Sequence, residues 1–188
     1  LEYLSTFRFT GDIYAIPEGT VVFPRESLIK VIAPIMQAQL VETALLTIIN
    51  HQSLIATKTE RIVHAAKGDG VMEFGLRRAQ GADAGTYGAR AAMIAGCIGT
   101  SNVLCGKMFD VPVKGTHAHS WIMSFPDELT AFRAYAKLYP SACILLADTY
   151  DTLGSGVPNA IRVFQEMRDA GIPLTFYGIR LDSGDLAY

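Results

Sequence analysis

Ala142-Cys143-Ile144-Leu145-Leu146-Ala147-Asp148 decides the fold. Six apolar residues in a row, closed by a carboxylate, form the pattern of a strand buried on both faces. Downstream, Pro158 to Ala170 has amphipathic helical spacing and is stopped by Gly171 and Pro173. Leu174 to Ile179 follows as another strand. Upstream, Asp127 to Leu138 reads as a helix begun by Pro126-Asp127-Glu128 and stopped at Pro140. Strand, helix, strand, helix predicts a parallel sheet with right-handed crossovers, an α/β fold. In such folds ligands bind at the C-terminal ends of the strands, whether the sheet is open or closed into a barrel.

The same alternation extends toward the N-terminus. Val111 to Gly115 is expected as a strand, Asp83 to Gly96 as a small, Ala-rich helix that packs closely, and Val71 to Phe74 as a strand. Lys67-Gly68-Asp69-Gly70 is the expected boundary between two domains, 1–67 and 68–188. In the first, Phe7 to Ile16, Thr20 to Phe23 and Leu28 to Ile32 read as strands. Pro34 suits a first helical turn. From Ile35 the apolar positions 35, 38, 41, 45, 48 and 49 recur at helical spacing, and a second helix is expected from Ser53 to Ala66.

Composition removes several classes of function. The chain has 188 residues, 50% of them hydrophobic and 18% charged, with a formal net charge of −2. That is too apolar for a disordered chain. An isoelectric point near 6.1 leaves no basic footprint for a nucleic-acid partner. No window reaches the ~18 uninterrupted apolar residues of a membrane span. Leu1 to Thr10 carries Glu2 and Arg8 and lacks the apolar region of a signal peptide. Cys97, Cys105 and Cys143 form no close pair and sit among apolar or small residues, as expected for reduced core thiols in a cytoplasmic protein. The chain has no initiator Met and stops after Leu186-Ala187-Tyr188, so it is expected to be a segment of a longer chain.

Five polar clusters stand at strand ends. Glu73-Phe74-Gly75-Leu76-Arg77-Arg78-Ala79-Gln80-Gly81 offers guanidinium groups that can grip an anion, or simply a solvated loop. Gly99-Thr100-Ser101-Asn102 is a donor-rich turn, or an ordinary helix N-cap. Gly115-Thr116-His117-Ala118-His119-Ser120 carries two histidines at i and i+2, one of which can face a site while the other packs. They lack further ligands at zinc spacing, and His51 and His64 lie in the first unit, so acid–base or nucleophilic chemistry is favoured over metal ligation. Ala147-Asp148-Thr149-Tyr150-Asp151 puts a carboxylate at the end of a buried strand, which is costly unless it pairs or does chemistry. In Arg180-Leu181-Asp182-Ser183-Gly184-Asp185, Arg180 and Asp182 share a face at period two. Together these residues point to an enzyme that handles anionic, phosphorylated substrates.

In this order and spacing the five clusters closely resemble the nicotinate phosphoribosyltransferases. The resemblance runs through nearly the whole chain, including Pro17-Glu18-Gly19 and Ser53-Leu54-Ile55-Ala56-Thr57-Lys58. It implies the type II phosphoribosyltransferase fold, in which 1–67 would belong to an α/β domain and 68–188 to the first part of an irregular α/β barrel. The implied reaction joins nicotinate to phosphoribosyl pyrophosphate, coupled to ATP hydrolysis and served by Mg²⁺, in a homodimer. By resemblance His119 is the phosphorylated histidine, His117 a packing histidine, and Asp148 the carboxylate that orients the His119 imidazole. Phe74 would stack on the pyridine ring, Arg77 contact phosphate, and Arg180 and Thr116 hold the nicotinate carboxylate and ring, with Ser120 beside them. Asp182 would face the ribose as positive charge develops there. Ser101 stands where the related nicotinamide enzyme has an aspartate, so it favours nicotinate. The alternatives are a nicotinamide or quinolinate phosphoribosyltransferase, or a non-catalytic nucleotide-binding chain. By the same resemblance a further ring-stacking aromatic would precede Leu1 and the 5′-phosphate loops would follow Tyr188, so the 188 residues alone are expected to be inactive.

Overall fold

The computed structural model describes residues 2–187; Leu1 and Tyr188, at the ends of the expected segment, lie outside the described residues. The chain divides into two compact units, one ending at Lys114 and the other beginning at Gly115. Lys67-Gly68-Asp69-Gly70 lies inside the first of these units. The helix before those residues packs on the helix after them, and the strand that follows them pairs inside the same unit.

The first unit runs α1 (Glu2–Ser5), β1 (Asp12–Ala15), β2 (Ile29–Ile32), α2 (Ile35–Ala65), β3 (Met72–Glu73), α3 (Ala82–Ile94), β4 (Gly99–Thr100) and α4 (Val103–Phe109). β1 and β2 are antiparallel, with Asp12 opposite Ile32. Residues 20–23, expected as a strand, are irregular. Glu26 takes the Phe23 amide at 2.8 Å, and Val21 is 80% exposed, so the run has β-forming residues but no partner strand.

The two helices expected between Ile35 and Ala66 are one helix of 31 residues. No Gly or Pro interrupts Asn50-His51-Gln52, and α3 supports that stretch directly. His51 Nε2 lies 3.0 Å from the Ala84 carbonyl, and a Cβ on Gly88 would sit 3.0 Å from Ile55 Cδ1. Gly85, Thr86, Gly88, Ala89, Ala91 and Ala92 are all buried, so the Ala-rich α3 does pack closely. β3 and β4 form a parallel pair with Glu73 opposite Thr100. The expected strand from Val111 to Gly115 is reduced to a single bridge between Val113 and Thr100.

The second unit runs α5 (His119–Met123), α6 (Glu128–Leu138), β5 (Ala142–Leu146), a π-helical turn (Thr152–Gly156), α7 (Val157–Asp169) and β6 (Phe176–Arg180). β5 and β6 are parallel and in register from Ala142/Phe176 to Leu146/Arg180, joined across α7 as the alternation predicts. Asp127 caps α6 by accepting from the Thr130 amide at 2.8 Å. On α6, residues 128, 131, 132, 135 and 136 are buried, the i, i+3, i+4 stripe of a helix lying on a core. α7 answers with Ala160, Val163 and Met167, and β5 with Cys143, Leu145 and Leu146. Phe132 is fully buried at the centre. Phe132→Ala is expected to cost about 3–5 kcal/mol, through lost burial and the cavity left behind. Urea denaturation of both proteins measures it as a lower midpoint with unchanged slope.

All three cysteines are unpaired and buried. Burial pushes the Cys143 thiol up to about 11, so it stays protonated as a core group.

Candidate active site

The C-terminal ends of β5 and β6 build the site in the second unit. β5 ends at Leu146 and delivers Asp148 and Thr149; β6 ends at Arg180 and delivers Asp182 and Ser183. The π-helical turn after β5 is drawn close by Gly156, where a Cβ would run into the Ala147 carbonyl. Asp151 caps that turn by accepting from the Gly154 amide at 2.9 Å.

Two histidines, two residues apart, take different roles. His117 is buried, edge-on to Tyr135 with ring centroids 4.4 Å apart. Its Nε2 accepts the Leu146 amide of β5 at 3.2 Å. This tethers the segment that carries His119 to the strand that carries Asp148. Burial lowers the His117 pKa, opposed by a bond to Ala118 and reinforced by Arg180 and His119. Neutral His117 can accept the amide; protonated His117 cannot. With the folded pKa depressed, the unfolded chain binds the proton first. The stability from this group is therefore complete above about pH 6.5, the unfolded value, and is lost as pH falls through the folded pKa. His117→Phe is expected to flatten that part of a stability–pH curve measured by thermal melting.

His119 opens α5 and is partly exposed. Its Nδ1 is 3.2 Å from the Thr149 hydroxyl. Its Nε2 faces two carboxylates, Asp182 Oδ2 at 3.5 Å and Asp148 Oδ1 at 3.9 Å. Asp148 was expected near His119 to orient the imidazole; the ring's hydrogen bond at Nδ1 belongs to Thr149, and Asp148 stands 3.9 Å from Nε2. Its Oδ2 accepts from the Asp182 amide and the Ser183 hydroxyl, each at 2.7 Å. Burial acts to raise the Asp148 pKa, but these two bonds and His119 outweigh it, and the carboxyl stays below its ordinary value. Asp148 therefore fixes the loop after β6, while its buried Oδ1, without a hydrogen-bond partner among the described residues, points toward His119.

Arg180 and Asp182 share a face, as period two requires. The guanidinium donates to the Thr116 hydroxyl at 2.7 Å and to Asp182 Oδ1. Thr116, Arg180, Asp182 and His119 thus form one continuous polar line in this unit. Ser120, the next residue on α5, is exposed.

In the first unit, the parallel ends of β3 and β4 bring Phe74 and Ser101 side by side. The Ser101 amide donates to the Glu73 carbonyl at 3.1 Å. The Glu73 carboxylate bridges the two strand ends, accepting from the Gly75 amide and the Thr100 hydroxyl. Arg77 lies on the short 3₁₀ turn that follows, exposed. Asn102 is the N-cap of α4, accepting from Cys105, so the ordinary reading of that turn holds for Asn102. Sequence reasoning did not single out Thr149, Ser183 or Glu73. Their signal was position alone, since each lies inside a cluster at a strand end.

Among the described residues no group of three or more His, Cys, Asp or Glu is placed to hold a metal ion. Mg²⁺ usually keeps substrate oxygens and waters and takes one or two protein carboxylates, so these residues are compatible with a Mg²⁺ carried on a phosphorylated substrate. Among them, too, no helix is long and apolar enough to cross a membrane.

Residues 70–188 match the nicotinate phosphoribosyltransferase (NAPRTase) family, and residues 1–50 match the N-terminal domain described for the same enzymes. The chain belongs to the nicotinate phosphoribosyltransferase family. A nicotinate phosphoribosyltransferase of Bacillus subtilis is 53% identical over 175 residues, covering 93% of this chain and 35% of its own length. One from Dictyostelium discoideum is 41% identical over 228 aligned residues, covering all of this chain and 38% of its own length. The chain thus spans well under half of these relatives. The crystal structure of human nicotinic acid phosphoribosyltransferase superposes with a TM-score of 0.88 at 33% identity, over 98% of this chain and 46% of that one. A nicotinate-nucleotide pyrophosphorylase from Pyrococcus furiosus gives 0.74 at 27% identity, over 94% of this chain and 52% of that one. The α/β fold expected from the strand–helix alternation is the fold of the nicotinate phosphoribosyltransferases.

Proposed function

We propose that the protein carrying this chain joins nicotinate to phosphoribosyl pyrophosphate, releasing nicotinate mononucleotide and pyrophosphate, with ATP hydrolysis coupled through a phosphate carried on His119. The observation that carries this reading is the placement of His119 Nε2 before two carboxylates, one of them tied to Arg180. An imidazole so placed can accept a phosphoryl group, and the carboxylates can stabilise positive charge that develops beside it.

The chain's own residues then divide the work. Asp182 stands for the ribose, whose anomeric carbon becomes cationic as pyrophosphate departs. Arg180, already bonded to Thr116, offers a guanidinium to the nicotinate carboxylate. Phe74, 38% exposed at a strand end, offers a face for the pyridine ring. Ser101 can donate to a carboxylate, and Arg77 and Ser120 are assigned to substrate phosphate and ring. Mg²⁺, when bound with substrate, would neutralise the departing pyrophosphate. The protein is assigned to the cytoplasm, as a homodimer in NAD salvage.

Turnover of nicotinate, nicotinamide and quinolinate, each with phosphoribosyl pyrophosphate and with or without ATP, tests the reading in the whole protein. Nicotinate mononucleotide formed faster with ATP is the expected result. Preference for either of the other two pyridines, or indifference to ATP, would overturn it.

A further inference from the structure

Among the described residues the imidazole of His119 has one close hydrogen-bond partner, and it is not a carboxylate. Thr149 Oγ1 sits 3.2 Å from Nδ1, while the carboxylate oxygens opposite Nε2 stop at 3.5 and 3.9 Å. A carboxylate facing an N–H closes to about 2.7–2.9 Å. One facing a ring lone pair stays back, because both are electron-rich. On these separations the proton is assigned to Nδ1, donated to the Thr149 oxygen, and the lone pair to Nε2. We propose that Thr149 is a positioning residue that holds His119 in this tautomer and so presents Nε2 as the nitrogen that takes the phosphoryl group. This rests on the reading of His119 as the phosphoryl acceptor.

The step balances without a base. The Nε2 lone pair forms the N–P bond, and the bond from the γ-phosphorus to the bridging oxygen breaks, its electron pair leaving with ADP. The ring becomes cationic and keeps its proton at Nδ1, against the Thr149 oxygen. Asp148 and Asp182 then face a positive ring rather than a lone pair. Thr149 is well fixed for the task. It lies three residues past the end of β5, and Asp148 beside it is anchored by the Asp182 amide and the Ser183 hydroxyl. The second tether, His117 to Leu146, sets the approach of the segment that carries His119.

Thr149→Val keeps the shape and removes the hydroxyl, whereas Thr149→Ser keeps the hydroxyl. In the whole protein with ATP and Mg²⁺, Thr149→Val is expected to slow phosphate incorporation at His119 by about 10–100-fold, the usual cost of losing a group that orients a reactive histidine. Thr149→Ser is expected to restore most of the rate, with nicotinate affinity unchanged in both. The ¹⁵N shifts of the His119 ring, recorded without ATP, are expected to report Nδ1–H in the parent and a shift toward Nε2–H in Thr149→Val. Unchanged incorporation and ring shifts in Thr149→Val would overturn the proposal, as would a Ser variant as slow as Val. If the parent itself takes no phosphate, the reading of His119 as acceptor fails, while the ring shifts still decide the role of Thr149.

Discussion

His119→Ala is expected to remove ATP coupling and lower ATP-supported nicotinate turnover by about three orders of magnitude, the scale of losing a group that carries the chemistry. The variant should fold, because the ring is partly exposed on the first residue of a short helix and none of the buried core depends on it. Nicotinate binding should persist, since Arg180 keeps its bonds to Thr116 and Asp182. The informative comparison is turnover with and without ATP. In the parent the two rates are expected to differ, and in His119→Ala to coincide. A variant that still responds to ATP would move the phosphoryl acceptor elsewhere.

Ser101→Asp is expected to reverse the choice between the two pyridines. In the proposed site an aspartate at this position, taken at about 4 Å from the nicotinate carboxylate, would repel it by about 4 kcal/mol at the effective dielectric of a site near the surface. That predicts a loss of about 10²–10³-fold in nicotinate affinity, at about 1.4 kcal/mol per tenfold. Nicotinamide, which presents an amide N–H₂, should bind as well or better. The substitution is structurally mild: Ser101 is exposed, and its structural bond runs from the backbone amide to Glu73. Isothermal titration with both ligands measures the pair of affinities, and equal loss for the two would undercut the pocket reading.

The elements that position the site in the second unit were legible because their signals are local. The apolar run of β5, the i, i+3, i+4 stripe of α6 and the Gly171 stop after α7 each announce one conformation. α5 was not legible. It has five residues, and its N-cap, Ala118, makes no side-chain cap bond. The continuity of α2 was hidden for a different reason. The polar stretch around His51 looks like a break until Ala84 and Gly88 of α3 are seen to meet it. The strand expected at Val111 to Gly115 had the right residues but, among the described residues, found only Thr100 as a bridge partner.

Within the site, residue types at strand ends were readable and partners were not. Asp148 was rightly suspected of being too costly to stand alone at a strand end. That it spends one oxygen on Asp182 and Ser183, leaving His119 to Thr149, depends on pairings 30 or more residues apart. The division of labour between His117 and His119 was legible from the family resemblance and not from spacing, because residues two apart in an extended segment share a face and it is the start of α5 at His119 that separates them. The amide that His117 receives from Leu146 was not, since it belongs to the register between segments.

The most direct test is mass spectrometry of the whole protein after incubation with ATP and Mg²⁺ and without nicotinate. Acid-labile, base-stable phosphate on the peptide containing His119, absent from His119→Ala, is the predicted result. Protein that binds nicotinate yet carries no such phosphate would contradict it and reduce His119 to a residue of the pocket wall.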